Sequence, residues 1–220
     1  MHRLETGSSC PVMVTRIPKL IMKEIDIWVK ESKKTMNHPL AELKAHENVG
    51  YLGIGSGKKQ NSYQCTIPSR LVEESYWLAW VLRLTAKHWG GGLTHRNFKL
   101  RVKSGHFDTY DIWTNFAYKG DGNPTHNHVG FLSGVIYYKN HDHPTIFDEH
   151  GCAYNGEDGT MVMFPAGTFH HVEEQTANKE RITLAFNIQT LKETLQVFNQ
   201  TETLSDSSAD EADVLVNNMT

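Results

Sequence analysis

Apolar residues Ile21, Ile25 and Trp28 recur at helical spacing between positions 18 and 34, with Lys23, Glu24, Lys30 and Glu31 on the other faces. One apolar stripe among charges predicts an amphipathic helix. A second, longer helix is expected from Ser69 as N-cap, with Glu73 and Glu74 in its first turns. Leu71, Trp77, Trp80, Val81, Leu84 and Trp89 continue it to the stop at Gly90-Gly91-Gly92. Its tryptophan stripe reads as core packing against a sheet rather than as a ligand platform. Between the two helices, positions 50–64 are rich in Gly, Ser, Lys and Asn, which suits a mobile connection.

After Leu93 the pattern changes to short apolar or alternating runs broken by Gly, Pro, Asn and Asp, the mark of antiparallel strands. Strands are expected at 98–102, 109–118, 126–129, 130–138, 145–147, 160–164, 170–172 and 181–189. Such a series suits a jelly roll or related barrel, so the fold class is mainly β with flanking N-terminal helices. We read positions 1–200 as one domain, helical to about 92 and β from about 93 to 190, because two domains would each bury too little surface. Positions 201–220 carry acids and serines with little apolar content and are expected to be disordered.

The formal net charge of −3 on a mixed background supplies no broad positive field, which disfavours nucleic acid as the main partner. No apolar run approaches a membrane span or a signal peptide, so the expectation is a soluble cytoplasmic protein without a membrane partner. Cys10, Cys65 and Cys152 lack zinc or CxxC spacing and are read as free thiols in a reducing compartment. The sequons at Asn199 and Asn218 then carry no meaning.

Histidine is the unusual residue: there are 13, many of them between positions 126 and 171. His126 and His128 are two apart, and on a strand residues i and i+2 share a face, so both imidazoles can converge on one ion. Alone, such a pair in a polar loop is more often surface. A further pair, His170-His171, follows a Phe-Pro-Ala-Gly turn, and Arg181 opens an apolar strand ten residues later. His141, His143 and His150 lie in an Asp-rich insertion and read as solvated. Trp113 and Asn115 share a strand parity ahead of the pair and either line a substrate mouth or pack in the core.

The ordered series Tyr118-x-Gly120, His126-x-His128, Ser133-Gly134-Val135-Ile136-Tyr137-Tyr138, Gly159-x-x-Val162-x-Phe164-Pro165, His170-x-Val172 and Arg181-Ile182-Thr183-Leu184-Ala185-Phe186-Asn187 resembles the 2-oxoglutarate/Fe(II) oxygenase superfamily. Within it, the prolyl-hydroxylase-like branch and a group of bacterial and phage members are most similar. The resemblance covers about 113–189 and implies a double-stranded β-helix core. It implies Fe(II) held by His126, His128 and His170, with 2-oxoglutarate, O₂ and ascorbate as further cofactors. Arg181 would grip the distal carboxylate, which needs a fork of donors that Lys does not offer. Thr183 resembles the hydroxyl that helps it, Tyr138 a second-strand tyrosine reaching the cosubstrate, and Asn187 a further cosubstrate contact. His171 would point away from His170. The implied reaction is hydroxylation of a peptide, protein or small-molecule substrate, a peptidyl proline leading, with release of succinate and CO₂.

There is one departure. The family's second ligand is an acid two residues after the first His, and this chain has His128. Three explanations compete: a three-His site, a carboxylate such as Asp121 or Asp148 entering from elsewhere, or a decayed site. The parity of His128 favours three histidines. Two other functions compete as well, a three-His cupin-type dioxygenase that does not use 2-oxoglutarate, and a non-catalytic metal- or carbohydrate-binding jelly roll.

Overall fold

The computed structural model describes residues 10–35, 62–104, 107–139 and 143–191. The expected mobile connection before position 62, His141, the two sequons and the acidic tail lie outside the described residues. Helix α1, Lys19–Thr35, buries Ile21, Ile25, Trp28, Val29 and Ser32, so the helical stripe read from the sequence is its core face. Lys33 and Lys34 sit in its last turn, where cations meet the negative end of the helix dipole.

The expected second helix is two. Helix α2 is Ser69–Glu73 and α3 is Tyr76–Trp89, so Ser69 lies inside the first turn and Ser75 caps the second helix. The Ser75 hydroxyl donates to the Val72 carbonyl at 2.7 Å and accepts from the Leu78 amide at 3.2 Å, replacing backbone bonds at the break. The Glu24 carboxylate of α1 accepts from the Tyr76 and Trp77 amides at 3.0 and 3.1 Å. An acid from one helix thus caps the next and fixes how the two meet. Trp77 is buried edge-on between Trp28 and Phe186, which agrees with core packing for that part of the tryptophan stripe.

The strands in chain order are β1 Met13–Arg16, β2 Tyr63–Thr66, β3 Phe98–Lys99, β4 Arg101–Ser104, β5 Phe107–Tyr110, β6 Ile112–Ala117, β7 Asn123–His126, β8 Leu132–Lys139, β9 Thr145–Phe147, β10 Cys152–Tyr154, β11 Thr160–Pro165, β12 His170–Val172 and β13 Arg181–Thr190. The large sheet runs β1-β11-β8-β13-β6-β2, with β3 also on β13, and the small one β10-β9-β12-β7; β4 and β5 form a hairpin. Every pairing is antiparallel. Two antiparallel sheets, with helices on the outer face of the larger, make the expected jelly-roll fold. The short strands β1, β2 and β10 were not expected from the sequence, and the run 109–118 breaks at Asp111.

Parity assigns the faces. On β13, Ile182, Leu184, Phe186 and Ile188 join the helices in the main core, as Leu132 and Ile136 do on β8. Val135 and Tyr137 of β8 instead join Phe147, Val162 and Phe164 in the smaller cluster between the sheets. Gly134 is required by this packing, since a Cβ there would meet the Phe186 ring at 2.2 Å.

Of the three cysteines expected as free thiols, only Cys65 stays out of a disulfide. Cys10 and Cys152 form a disulfide that joins the segment before β1 to β10 across 142 residues, with Cα atoms 6.4 Å apart. The cysteine argument for a reducing compartment therefore falls. No helix among the described residues is long and apolar enough to cross a membrane.

Candidate metal and anion site

Strands β7 and β12 bring His126 and His170 together as direct partners in the small sheet, with ring centroids 4.3 Å apart. His128 arrives differently from its expected place on a strand. Strand β7 ends at His126, and His128 lies in the following loop, anchored by its amide on the Ala166 carbonyl at 2.8 Å. Its ring stacks on His170 at 5.2 Å. One potential ligand atom from each of His126, His128 and His170 lies within 4.8 Å of the others.

The tautomers are set by backbone carbonyls. The Nδ1–H of His126 donates to Pro124 at 2.7 Å, and that of His170 donates to Thr168 at 2.9 Å, so each Nε2 is an acceptor; that of His126 takes the Asn123 amide at 3.3 Å, a contact an ion would displace. Burial lowers all three pKa values: His126 falls below its usual value, His170 goes to about 4, and His128, with His126 and His170 beside it, to about 2. Each imidazole is neutral at neutral pH, the form that binds metal. The buried Nδ1 of His128 has no hydrogen-bond partner among the described residues, so no protein group fixes the tautomer of this ring through that atom. The donor set fits a divalent transition metal in a nitrogen-rich site.

Neither alternative carboxylate joins this cluster. Asp121 lines the cavity, but its Oδ2 accepts from the Tyr118 amide at 2.7 Å and closes a turn. Asp148 lies 2.6 Å from Nδ1 of His171, the neighbour that faces away from the ligands. His143 is also engaged outside the cluster, its Nε2 accepting from the Thr176 amide at 3.2 Å.

A cavity opens at the histidines, lined by apolar Trp113, Val135, Phe164 and Ala185 and by polar Arg181, Thr183, Asn115 and Thr145. Arg181 is only 9% exposed, and its Nε has no partner among the described residues. Glu180 does not neutralise it, since that carboxylate accepts from Lys33 at 2.6 Å and from the Tyr118 hydroxyl at 2.9 Å. Burial pulls the Arg181 pKa down from its ordinary value, yet the group stays a cation. An unpaired buried cation costs several kcal/mol, about what an anionic ligand would return.

The structure does not bring Tyr138 to this site. It shares the helix-facing side of β8 with Leu132 and Ile136, and its hydroxyl donates to Asp26 of α1 at 2.9 Å. The inward tyrosine is Tyr137, register partner of Thr183, fully buried and 2.6 Å from the Thr145 hydroxyl. Burial pushes its phenol up to about 12 even with the Arg181 charge near it. Only the covering of one face by helices, which the sequence does not state, distinguishes the two adjacent tyrosines. Asn187 shares the face of Arg181 and Thr183 but is spoken for, accepting from Ser133 at 2.7 Å and donating to Asp111 at 3.0 Å. Asp111 is half-buried, and desolvation raises its carboxyl to about 6.

Residues 139–187 match the model of a family described as "Putative 2OG-Fe(II) oxygenase". No curated protein matches by sequence. Among solved structures, the viral collagen prolyl hydroxylase of Paramecium Bursaria Chlorella virus-1, in complex with 2OG, is similar at 13% identity and a TM-score of 0.51, over 83% of this chain and 97% of that one. A prolyl-4-hydroxylase from Pseudomonas putida is similar at 16% identity and a TM-score of 0.49, over 80% of this chain and 92% of that one. The family match and the viral enzyme's fold agree with the resemblance read from the sequence.

Proposed function

We propose that this chain is a 2-oxoglutarate- and Fe(II)-dependent oxygenase, with His126, His128 and His170 as metal ligands and Arg181 as the grip on the cosubstrate's distal carboxylate. One observation carries the reading: a single cavity holds three neutral imidazoles and a buried guanidinium whose Nε is unpartnered. Bound there, the metal with 2-oxoglutarate and O₂ would supply the oxidising power that yields succinate, CO₂ and a hydroxylated substrate.

The chain's own part is binding, orientation and exclusion of water. The Pro124 and Thr168 carbonyls hold two ligands in one tautomer, so metal binding needs no rotation or proton shift at His126 and His170. Arg181 offers parallel donors to a carboxylate, and Thr145 and Thr183 are hydroxyls of the same cavity lining, with the Tyr137 hydroxyl bonded to Thr145. The apolar part of the lining, Trp113, Val135, Phe164 and Ala185, would limit water around a bound cosubstrate and so strengthen these contacts. A peptidyl side chain, proline first, is the substrate we favour, from the resemblance and from the viral collagen prolyl hydroxylase of the same fold.

The three-histidine set also suits a cupin-type dioxygenase that ignores 2-oxoglutarate, and Arg181 argues against it. Anaerobic Fe(II) titration with and without 2-oxoglutarate, followed by succinate assay in air, decides. Cosubstrate-dependent spectral change and succinate release are expected, and iron binding indifferent to 2-oxoglutarate would overturn the reading.

A further inference from the structure

The inner face of the large sheet carries a row of hydrogen-bonding side chains. Gln64 and Asn115 are register partners on β2 and β6, Asn115 and Thr183 on β6 and β13, and Thr183 and Tyr137 on β13 and β8. Within that row two bonds fix a polarity. Trp113 Nε1 donates to Asn115 Oδ1 at 3.0 Å, and Asn115 Nδ2 donates to Thr183 Oγ1 at 3.3 Å.

An indole N–H can only donate, so the oxygen of the Asn115 amide has to face Trp113. The opposite flip would set the amide NH₂ against another donor and forfeit the bond. With its oxygen committed, the amide presents its NH₂ to Thr183, and that group cannot accept. The single hydroxyl hydrogen of Thr183 must therefore go elsewhere. Thr183 is 5% exposed, lines the cavity with Arg181, and no other hydrogen bond joins its hydroxyl to a described residue.

We propose that Trp113 and Asn115 form a relay that makes the Thr183 hydroxyl an obligate donor to the anion gripped by Arg181. This rests on the cosubstrate reading above and deepens it. Arg181 is also donor-only, so two groups of fixed polarity meet the distal end of the 2-oxo acid. A carboxylate accepts from both and balances the charge, whereas a donor-only group such as an ammonium there would set hydrogen against hydrogen. Asn115 is thus a positioning residue acting through Thr183, and Trp113 sets the orientation of Asn115. If Trp113 lost its N–H the amide could flip, present Oδ1 to Thr183 and draw the hydroxyl hydrogen away from the ligand.

The test is calorimetric titration of 2-oxoglutarate into the full-length, Mn(II)-loaded protein, with metal content and thermal melting measured alongside. Asn115→Asp puts an acceptor and a negative charge beside Thr183, and should weaken 2-oxoglutarate binding by about tenfold or more while Mn(II) stays bound. Asn115→Ala and Trp113→Phe should each weaken it several-fold. In a Thr183→Val background neither should have a further effect, because the hydroxyl through which they act is gone. Should Asn115→Ala fail to fold, the cycle between Trp113→Phe and Thr183→Val gives the same readout. Equal losses with and without the Thr183 hydroxyl, or no loss, overturn the relay alone. Wild-type protein that holds Mn(II) but takes up no 2-oxoglutarate overturns the proposed function, and the relay with it.

Discussion

Arg181 and His128 are the two positions where one side chain changes the chemistry most. With Glu180 held by Lys33 and Tyr118, the guanidinium keeps its donors for a ligand. We expect Arg181→Lys to raise the KM for 2-oxoglutarate by about tenfold or more, since a compact ammonium loses one charge-assisted bond of the fork. Steady-state succinate assays check it, and an unchanged KM would move the anion site elsewhere. At His128 a neutral ring replaces the acid expected from the resemblance. His128→Asp retains three ligands and adds negative charge, so metal should stay bound even if the shorter side chain slows turnover. His128→Ala should lose most affinity, because the carbonyls behind His126 and His170 orient ligands but replace none. Anaerobic Fe(II) titration separates these outcomes, and equal binding by wild type and His128→Ala would remove His128 from the ligand set.

At the scale of the element, strand parity decides which neighbour works. Tyr137 and Tyr138 are adjacent on β8, yet one faces the small sheet and Arg181 while the other faces Asp26 of α1. Tyr137→Phe should therefore raise the KM for 2-oxoglutarate by several-fold, and Tyr138→Phe should leave it unchanged while costing about 1 kcal/mol of stability for its lost bond. The reverse pattern in kinetics and urea unfolding would refute the face assignment. What was legible beforehand divides along the same line. The run of strands after Leu93 and the candidate pairing of His126 with His128 followed from alternation and spacing, which are local, whereas the places of His170 and Arg181 came from the resemblance. The choice between Tyr137 and Tyr138 depends on which face the helices cover, and alternation is blind to that. His128 was placed on a strand that ends two residues earlier, so it reaches the cluster through its Ala166 anchor rather than by parity. The helix break at Ser75 was hidden because its cap comes partly from Glu24, about fifty residues away.

Across the whole molecule the least legible features were those joining distant segments. The Cys10–Cys152 bond spans 142 residues, a pairing that no spacing rule announces. The balance of buried titratable groups is of the same kind and has a measurable consequence. His126, His128 and His170 are all held below 6.5, the last two near 2 and 4, whereas in the unfolded chain each protonates around 6.5. At His128 and His170 the unfolded state thus binds more protons between pH 6.5 and about 4, and stability falls as pH falls, by up to about 1.4 kcal/mol per pH unit for each, with His126 acting in the same direction. Asp111 acts with the opposite sign. Raised from 3.8 to about 6, it keeps a proton in the folded state that the unfolded chain has released, and so stabilises the fold as pH falls from 6 to 3.8. His128 and His170 together outweigh Asp111, so the metal-free protein should unfold at lower urea at pH 5 than at pH 7. His128→Asn removes one imidazole and should flatten that dependence. A divalent metal should stabilise the protein at pH 7, where all three nitrogens are neutral. A midpoint that rises on acidification, with or without metal, would mean that these three imidazoles are not buried together in neutral form.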